Sequence, residues 1–208
     1  MTPAAPPITH PTREGCCLVV DVSAHQGVYP PWCAMKAAGA VAVICKATEG
    51  QSHQDKRWQA NAQYAAESGL MVGSYHFFRP EWPDPTIQAR RYHEIAFDRT
   101  ALNPCCDFEV QKGVDGTLCV ERAIVFCHEV ERLWKKRCLV YTSPGFIAGL
   151  KADPLVRAGV AAFPLWQADY RDTPQIPAPW TSWTMWQWTD GVKARIADVP
   201  LDLSWFRG

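Results

Sequence analysis

Short apolar runs that end in polar residues recur along the first two thirds of the chain. None of them alternates between apolar and polar positions, which is typical of parallel strands that are covered on both faces. The runs predict five strands, at residues 16–20, 40–45, 70–77 and 138–141 and in the segment that leads to Asp107.

Helical patterns separate these apolar runs. Apolar residues recur at helix spacing in residues 58–66 and, over the longest stripe, in residues 115–134. Asp84-Pro85 and Ser143-Pro144 each combine a capping side chain with a proline in the first turn, which is typical of a helix start. The chain is therefore predicted to repeat strand–helix units, as a parallel sheet or barrel does.

The pattern changes near residue 163. Strands are predicted at residues 163–168, 182–188 and 199–203, and the prolines and short polar loops between them leave no room for long helices. The total is about eight strands and about five helices. A full eightfold strand–helix barrel usually needs roughly 250 residues, so a chain of 208 residues fits an α/β barrel without its last helices.

Composition narrows the classes of function. Lys and Arg together number 21, as do Asp and Glu, so the formal net charge is zero. Nucleic-acid binders usually have a basic excess, so no nucleic acid is expected as a partner. No apolar run reaches the roughly 18 residues of a membrane span, so no membrane insertion is expected. Residues 1–12 are rich in Pro and Ala without an apolar core, so no signal peptide is expected.

The nine cysteines are interpreted as reduced thiols, because their number is odd and no export signal is predicted. The doublets Cys16-Cys17 and Cys105-Cys106 would meet if their strands were neighbours. Adjacent cysteines lack the usual spacing of zinc ligands, however. No metal and no cofactor are expected.

Two acidic residues follow the fourth predicted strand. Asp107 and Glu109 are two positions apart, and such residues point to the same face of a strand. Two like charges at such a short distance raise the proton affinity of one of the two groups. One protonated acid and one carboxylate are the pair that cleavage of a glycosidic bond requires. The Asp-x-Glu pattern alone is weak, because it is usually a solvated strand end.

Other polar and aromatic residues also fall at the ends of predicted strands, where barrels of this kind build their sites. Asp21 ends the first strand, and Tyr75, Tyr141 and Trp166 lie at the ends of later strands. Ten tryptophans are a high number for this length. Aromatic side chains combine a large contact area with polar handles, and together with convergent carboxylates they suggest a carbohydrate ligand.

The segment Asp21-Val22-Ser23-Ala24-His25-Gln26-Gly27 resembles the opening motif of glycoside hydrolase family 25, the Chalaropsis-type lysozymes. Further segments resemble the family in the same order, so that the resemblance covers residues 15–208. They are Lys46-Ala47-Thr48-Glu49-Gly50, Gly73-Ser74-Tyr75-His76-Phe77, Asp107-Phe108-Glu109, Tyr141-Thr142, Leu165-Trp166-Gln167-Ala168-Asp169-Tyr170, Trp186-Gln187 and Asp202-Leu203.

The resemblance implies a flattened, TIM-like barrel of about five strand–helix units followed by three strands that lack long helices. It also implies cleavage of the β-1,4 bond between N-acetylmuramic acid and N-acetylglucosamine in peptidoglycan. By motif, Glu109 resembles the general acid and Asp107 the second catalytic carboxylate. Asp21 and Asp202 resemble the flanking acidic residues of the site. The chain is thus divided into a Pro-rich arm, residues 1–14, and a catalytic domain, residues 15–208.

A second set of residues is expected to line the sugar subsites. Lys46 is expected among them or, equally, in a structural salt bridge with an acidic neighbour. His25 and His76 would fit metal ligands, but a hydrogen-bonded structural role is the stronger expectation. The residues expected to bind the sugar are Tyr75, Tyr141, Trp166, Asp169, Gln187 and Lys46.

Two mechanisms and two other functions stay open at this point. Retention of configuration is expected, either through a carboxylate nucleophile or through attack by the sugar's own 2-acetamido oxygen, with the second favoured. The alternative functions are a chitinase-like N-acetylglucosaminidase and a non-catalytic peptidoglycan-binding protein.

The expected partner is the glycan strand of peptidoglycan, and the expected state is a monomer. The combination of a muramidase with no predicted signal peptide suggests a phage or prophage endolysin. Such a protein would stay in the cytoplasm of the host bacterium until its release and would act at the cell wall.

Overall fold

Strands and helices alternate along most of the chain, and three consecutive strands follow at its end. The computed structural model describes residues 13–26 and 29–207. Within them the elements are β1 Cys16–Val22, α1 Trp32–Ala37, β2 Ala40–Glu49, β3 His53–Gln54, α2 Trp58–Glu67, β4 Met71–Phe77, α3 Pro85–Ala96, β5 Cys105–Asp107, α4 Gly116–Trp134, β6 Leu139–Thr142, α5 Pro144–Gly149, α6 Pro154–Gly159, β7 Leu165–Ala168, β8 Met185–Ile196 and β9 Val199–Arg207.

Eight of the strands close into a barrel in the order β1-β9-β8-β7-β6-β5-β4-β2, and a parallel pairing of β1 with β2 completes the ring. Apart from β9, the strands of the ring run parallel to one another. Strand β9 is antiparallel to both β8 and β1. The predicted α/β barrel with about five strand–helix units and three strands without long helices is therefore confirmed.

The helix starts follow the predicted chemistry. Asp84 accepts a hydrogen bond from the amide of Thr86 at 2.9 Å, and Ser143 accepts one from the amide of Phe146 at 3.2 Å. Asp115 caps α4 in the same way through the amides of Thr117 and Leu118. Each cap satisfies donors that the first helical turn leaves without a partner.

Four details differ from the prediction. The short strand β3 and the helix α6 were not expected, since neither has a periodic pattern long enough to predict it. Strand β5 ends at Asp107, so Glu109 lies beyond the strand rather than on it. Strands β8 and β9 are much longer than predicted, because they form an antiparallel hairpin whose outer residues are exposed.

The core has two layers that the strands separate. Val20 packs with residues of the surrounding helices, such as Trp58 and Ala62, in the larger apolar cluster. Val19, its neighbour on β1, belongs to a smaller cluster, and because successive side chains point to opposite faces this cluster fills the barrel interior. The interior cluster consists of Val19, Ala42, Ile44, Cys105, Leu139, Trp166 and Met185.

All nine cysteines are unpaired in the structure. Six of them are buried, and Cys17 and Cys33 are exposed. The arm predicted at residues 1–14 lies outside the described residues except for Arg13 and Glu14. The guanidinium of Arg13 lies 4.9 Å from the ring centroid of Trp186. None of the helices in the described residues has the length and apolar character needed to cross a membrane.

We predict that Gly191→Ala destabilises the β8–β9 hairpin. Gly191 has a φ of +84°, and an added Cβ would lie 2.7 Å from Cβ of Pro200 and 2.8 Å from the amide nitrogen of Leu201. A left-handed backbone alone costs an L-residue about 1–2 kcal/mol. We therefore expect urea unfolding to show a loss of at least about 2 kcal/mol.

Gly145→Ala is the matched control, because an added Cβ in α5 meets nothing within 4 Å. It should leave the free energy of unfolding unchanged or raise it by up to about 1 kcal/mol. Equal changes in the free energy of unfolding for the two substitutions would show that the β8–β9 hairpin has room for a Cβ at Gly191.

Candidate active site

One polar layer follows the apolar interior of the barrel. Asp107 lies two positions beyond the interior residue Cys105, and Tyr141 lies two positions beyond Leu139. Since side chains two apart on a strand share a face, these polar groups point into the same interior at the carboxyl ends of the strands. Asp21, Lys46 and Gln187 stand in the same relation to Val19, Ile44 and Met185.

These groups line a cavity of about 290 Å³. Of the ten residues predicted from the sequence as site residues, the structure brings nine together here, and Asp169 is the exception. The lining residues are Asp21, Ser23, His25, Gln26, Lys46, Tyr75, Phe77, Asp107, Glu109, Tyr141, Trp166, Tyr170, Gln187, Asp190 and Asp202.

Asp21 and Asp202 form a carboxyl pair across the β1–β9 ladder, where they are opposite each other. Burial raises the pKa of Asp21 well above its ordinary value, and the charge of Asp202 raises it further. Burial and repulsion by Asp190 raise the pKa of Asp202 to about 6, although its hydrogen bond with Asp21 opposes this shift. The two carboxyls therefore share a proton well above the pH at which a solvated aspartate ionises.

Asp107 and Glu109 form the second carboxyl pair. The buried Phe108 lies between them, and its amide donates to the carbonyl of Tyr141 at 2.8 Å. Its ring packs edge-on against Phe146, with centroids 5.0 Å apart. These two contacts of Phe108 hold the segment after β5 in place, so both carboxyls face one cavity although the strand ends at Asp107.

The two members of this second pair differ in their surroundings. Asp107 is only 6% exposed, and its Oδ1 is buried without a hydrogen-bond partner in residues 13–26 and 29–207. Burial raises its pKa well above the ordinary value, and the charge of Glu109 adds to the shift. Glu109 is exposed, yet desolvation raises its pKa too, against the opposing charge of Lys46. One carboxyl is accessible and the other is enclosed, so they are suited to different tasks.

Gln187 connects three polar residues on different strands and loops. Its Oε1 accepts hydrogen bonds from the hydroxyls of Tyr141, at 2.9 Å, and Tyr170, at 3.0 Å. Its Nε2 donates to Oδ2 of Asp21 at 2.9 Å. Burial and nearby acidic groups raise the pKa of both tyrosines above the ordinary value, so they stay neutral donors.

Aromatic rings form part of the cavity wall. Trp166 donates from Nε1 to Oγ of Ser204 at 3.0 Å, and its ring meets that of Tyr141 edge-on at 4.9 Å. Burial and the charge of Asp107 raise the pKa of Tyr75 well above its ordinary value. These rings are fixed in place before any ligand binds.

Lys46 lies in the salt bridge that was expected as one of its two roles. Its Nζ is 2.7 Å from Oε2 of Glu49 and 4.6 Å from the ring centroid of Phe77. It also lines the cavity, so the two expected roles do not exclude each other.

Asp169 departs from its predicted place. Its carboxylate binds Arg171 at 2.6 Å and accepts from the amide of Gln175 at 2.8 Å, so it organises the loop after β7. The sequence pattern could not separate it from its neighbour Tyr170, whose hydroxyl reaches the cavity instead.

The two histidines differ in position. His76 is buried, with Nδ1 at 2.7 Å from Oγ1 of Thr48 and Nε2 at 3.1 Å from Oε1 of Gln88. Burial lowers its pKa to about 4. This is the expected hydrogen-bonded structural role. His25 is exposed at the cavity. Within residues 13–26 and 29–207 no group of three or more His, Cys, Asp or Glu residues is arranged to hold a metal ion.

Several residues that line the cavity were not predicted from the sequence. Gln26, whose Nε2 donates to Oδ2 of Asp202 at 3.2 Å, and Phe77 both lie inside segments that resemble the family. Asp190 had no such signal, because the strand was predicted to end two residues before it.

These features define an α/β barrel protein with an acidic, aromatic-lined cavity at the carboxyl ends of its strands. The sequence profile of the glycosyl hydrolases family 25 matches residues 20–196, so the chain belongs to this family. Lysozyme M1 of Streptomyces globisporus is 28% identical over 184 residues, which are 82% of this chain and 60% of that protein. The chain thus spans less than two thirds of that relative.

Solved structures agree with this assignment. A bacterial lysozyme from Streptomyces coelicolor superimposes with a TM-score of 0.80 and 25% identity over 94% of both chains. A family GH25 lysozyme from Aspergillus fumigatus gives a TM-score of 0.80 and 26% identity over 93% of this chain and 94% of its own.

We predict that Asp202→Asn gains stability relative to wild type as the pH rises. The pKa of Asp202 is about 6 in the folded state, above its ordinary value of 3.8. The folded state therefore holds a proton that the unfolded chain releases, and stability is lost as the pH rises from about 4 to above about 6. Urea unfolding of both proteins at pH 4 and pH 7 measures the difference.

Asp84→Asn is the control with the opposite sign. Hydrogen bonds from Thr86 lower the pKa of Asp84, so the stability that it contributes is lost as the pH falls. This variant should therefore lose stability relative to wild type as the pH rises only below about 4, and its difference from wild type should stay nearly constant between pH 4 and pH 7. An Asp202→Asn difference that is independent of pH would contradict the description of the Asp21–Asp202 pair.

Proposed function

We propose that this protein is a lysozyme of the muramidase type. It hydrolyses the β-1,4 bond between N-acetylmuramic acid and N-acetylglucosamine in peptidoglycan, and its partner is the glycan strand. The observation that supports this proposal most is the pair of Asp107 and Glu109, both with raised pKa values, in one acidic and aromatic-lined cavity. Membership in the glycosyl hydrolases family 25 agrees with it.

Glu109 acts as the general acid. It is exposed, so a substrate oxygen can reach it, and desolvation favours its protonated form. It donates its proton to the glycosidic oxygen as the bond to the anomeric carbon breaks, and the leaving sugar departs with a free hydroxyl. The resulting carboxylate then accepts a proton from the attacking water.

Asp107 orients the nucleophile. Its buried Oδ1 has no hydrogen-bond partner among the described residues, and such an acceptor is costly unless a ligand satisfies it. The N–H of a 2-acetamido group is a donor of the required kind. Held in this way, the carbonyl oxygen of the acetamido group attacks the anomeric carbon and forms a cyclic oxazolinium intermediate, while Glu109 protonates the leaving oxygen. Water then attacks the anomeric carbon from the face that the leaving sugar has vacated and opens the oxazolinium ring, so the configuration is retained.

Asp21, Asp202 and the tyrosines complete the sugar site in this proposal. Tyr141 and Tyr170 present neutral hydroxyls, and Gln187 fixes both. The rings of Tyr75 and Trp166 supply apolar contact for sugar faces. A monomer, a phage or prophage origin and accumulation in the cytoplasm of a host bacterium stay predictions.

We predict that Glu109→Gln abolishes peptidoglycan hydrolysis, with a loss of about 10²- to 10⁴-fold in rate, because Gln cannot donate the proton. Asp107→Asn should lose activity in the same range. Purified variants are incubated with peptidoglycan, and the new sugar ends are identified by mass spectrometry after borohydride reduction. Neither variant should produce reduced N-acetylmuramic acid ends at the rate of wild type.

Glu94→Gln is the matched control, because its side chain is 63% exposed on α3 and makes only a surface ion pair with Arg91. It should keep wild-type activity. Reduced N-acetylglucosamine ends would instead identify a glucosaminidase. Binding to peptidoglycan without new ends would identify a non-catalytic binding protein and refute the proposed mechanism.

A further inference from the structure

The cavity is strongly unbalanced in charge. Five acidic residues line it, and of the described residues around it Lys46 is the one Lys or Arg. The four strands that carry Asp21, Lys46, Asp107 and Asp202 belong to a single closed ring. The position of the Lys46 ammonium therefore determines how much of that negative charge is balanced, and at which carboxyl.

Lys46 is bound by Glu49, which is not among the residues that line the cavity. The Lys46 side chain is only 4% exposed, and its Nζ binds Oε2 of Glu49 at 2.7 Å. The ring of Phe77 faces the ammonium at 4.6 Å. The other oxygen of Glu49 binds Arg79 at 3.3 Å, and Arg79 binds Glu81 at 2.8 Å. Glu49 is thus fixed from both sides.

We propose that Glu49, held in turn by Arg79, is a positioning residue that keeps the ammonium of Lys46 at a set place beside Asp107 and Glu109. The effect of Glu49 on catalysis rests on the proposed function, but its effect on the charges of the cavity carboxyls does not. Glu49 does not line the cavity, so it acts through Lys46 rather than on a substrate.

The charges around the two residues predict the direction of the effect. Lys46 lowers the pKa of both Asp107 and Glu109, whereas the charge of Glu49 raises that of Asp107. Arg79 and His53 face Glu49 and lower its own pKa, as Lys46 does, so Glu49 is ionised.

Removing the charge of Glu49 affects Asp107 and Glu109 in two ways, and both act in the same direction. A buried ammonium without a partner is strongly unfavourable. In Glu49→Gln the cavity carboxylates remain, and the charge of Lys46 already acts on Asp107 and Glu109, so Lys46 pairs with them. The loss of repulsion from Glu49 and the approach of Lys46 both lower the pKa values of Asp107 and Glu109. A merely structural salt bridge would affect stability alone.

The test is a titration of the site carboxyls by ¹³C NMR on protein with labelled Asp and Glu, in the absence of substrate. Glu49→Gln should shift the midpoints of the Asp107–Glu109 pair downward by about 1 pH unit. The same change should move the high-pH limb of the kcat profile to lower pH, with little change in KM, because Glu109 loses its proton at a lower pH.

Glu81→Gln is the matched control. Glu81 binds the same arginine and its side chain is 30% exposed, against 27% for Glu49, but it does not contact Lys46. It should leave the titration and the kcat profile as in wild type. Glu49→Asp, which keeps the charge with a shorter reach, should still shift the same midpoints downward, but by clearly less than Glu49→Gln.

Wild-type midpoints in folded Glu49→Gln would overturn the proposal, and so would equal shifts in Glu49→Gln and Glu81→Gln. If Glu49→Gln does not fold, Glu49→Asp decides the matter, because the displaced ammonium should still shift the midpoints downward, by less than 1 pH unit. No shift in Glu49→Asp would then refute it. If wild type hydrolyses no peptidoglycan, the proposed function fails, and the titration still tests the role of Glu49.

Discussion

The alternation of side chains along the strands of a closed barrel is the constraint on which the rest of the structure depends. The pairing of β1 with β2 closes the ring, so one face of every barrel strand becomes interior. Cys105 and Leu139 fill that interior with apolar groups, and Asp107 and Tyr141 two positions later must face its carboxyl end. The site is therefore the next layer of the barrel rather than an addition to it.

This arrangement places several carboxyls where water is scarce. Desolvation is the largest cause of the raised pKa values of Asp21, Asp107, Glu109 and Asp202, and mutual repulsion adds to most of them. The same crowding that weakens the folded state at neutral pH favours a protonated acid, as the proposed reaction requires. Stability is thus lower at the point where the chemistry is proposed, a common relation in enzymes.

Much of this architecture could be predicted from the sequence. Apolar runs that end in Asp21, Lys46 and Asp107 indicated parallel strands, and the segments around them resembled a known family. The antiparallel extension of β8 and β9 could not be predicted, because exposed hairpin residues lack an apolar pattern. For the same reason Asp190 was missed, and Asp169 was preferred to Tyr170 since nothing in the sequence shows that Arg171 would bind its carboxylate.

The most direct test of the proposed site is a crystal structure of Glu109→Gln with a bound peptidoglycan tetrasaccharide. The account predicts that the scissile oxygen lies within hydrogen-bond distance of residue 109. It also predicts that the 2-acetamido N–H donates to Oδ1 of Asp107, with the acetamido oxygen beneath the anomeric carbon. A glycan bound away from this cavity, or an acetamido group that points away from Asp107, would contradict the account.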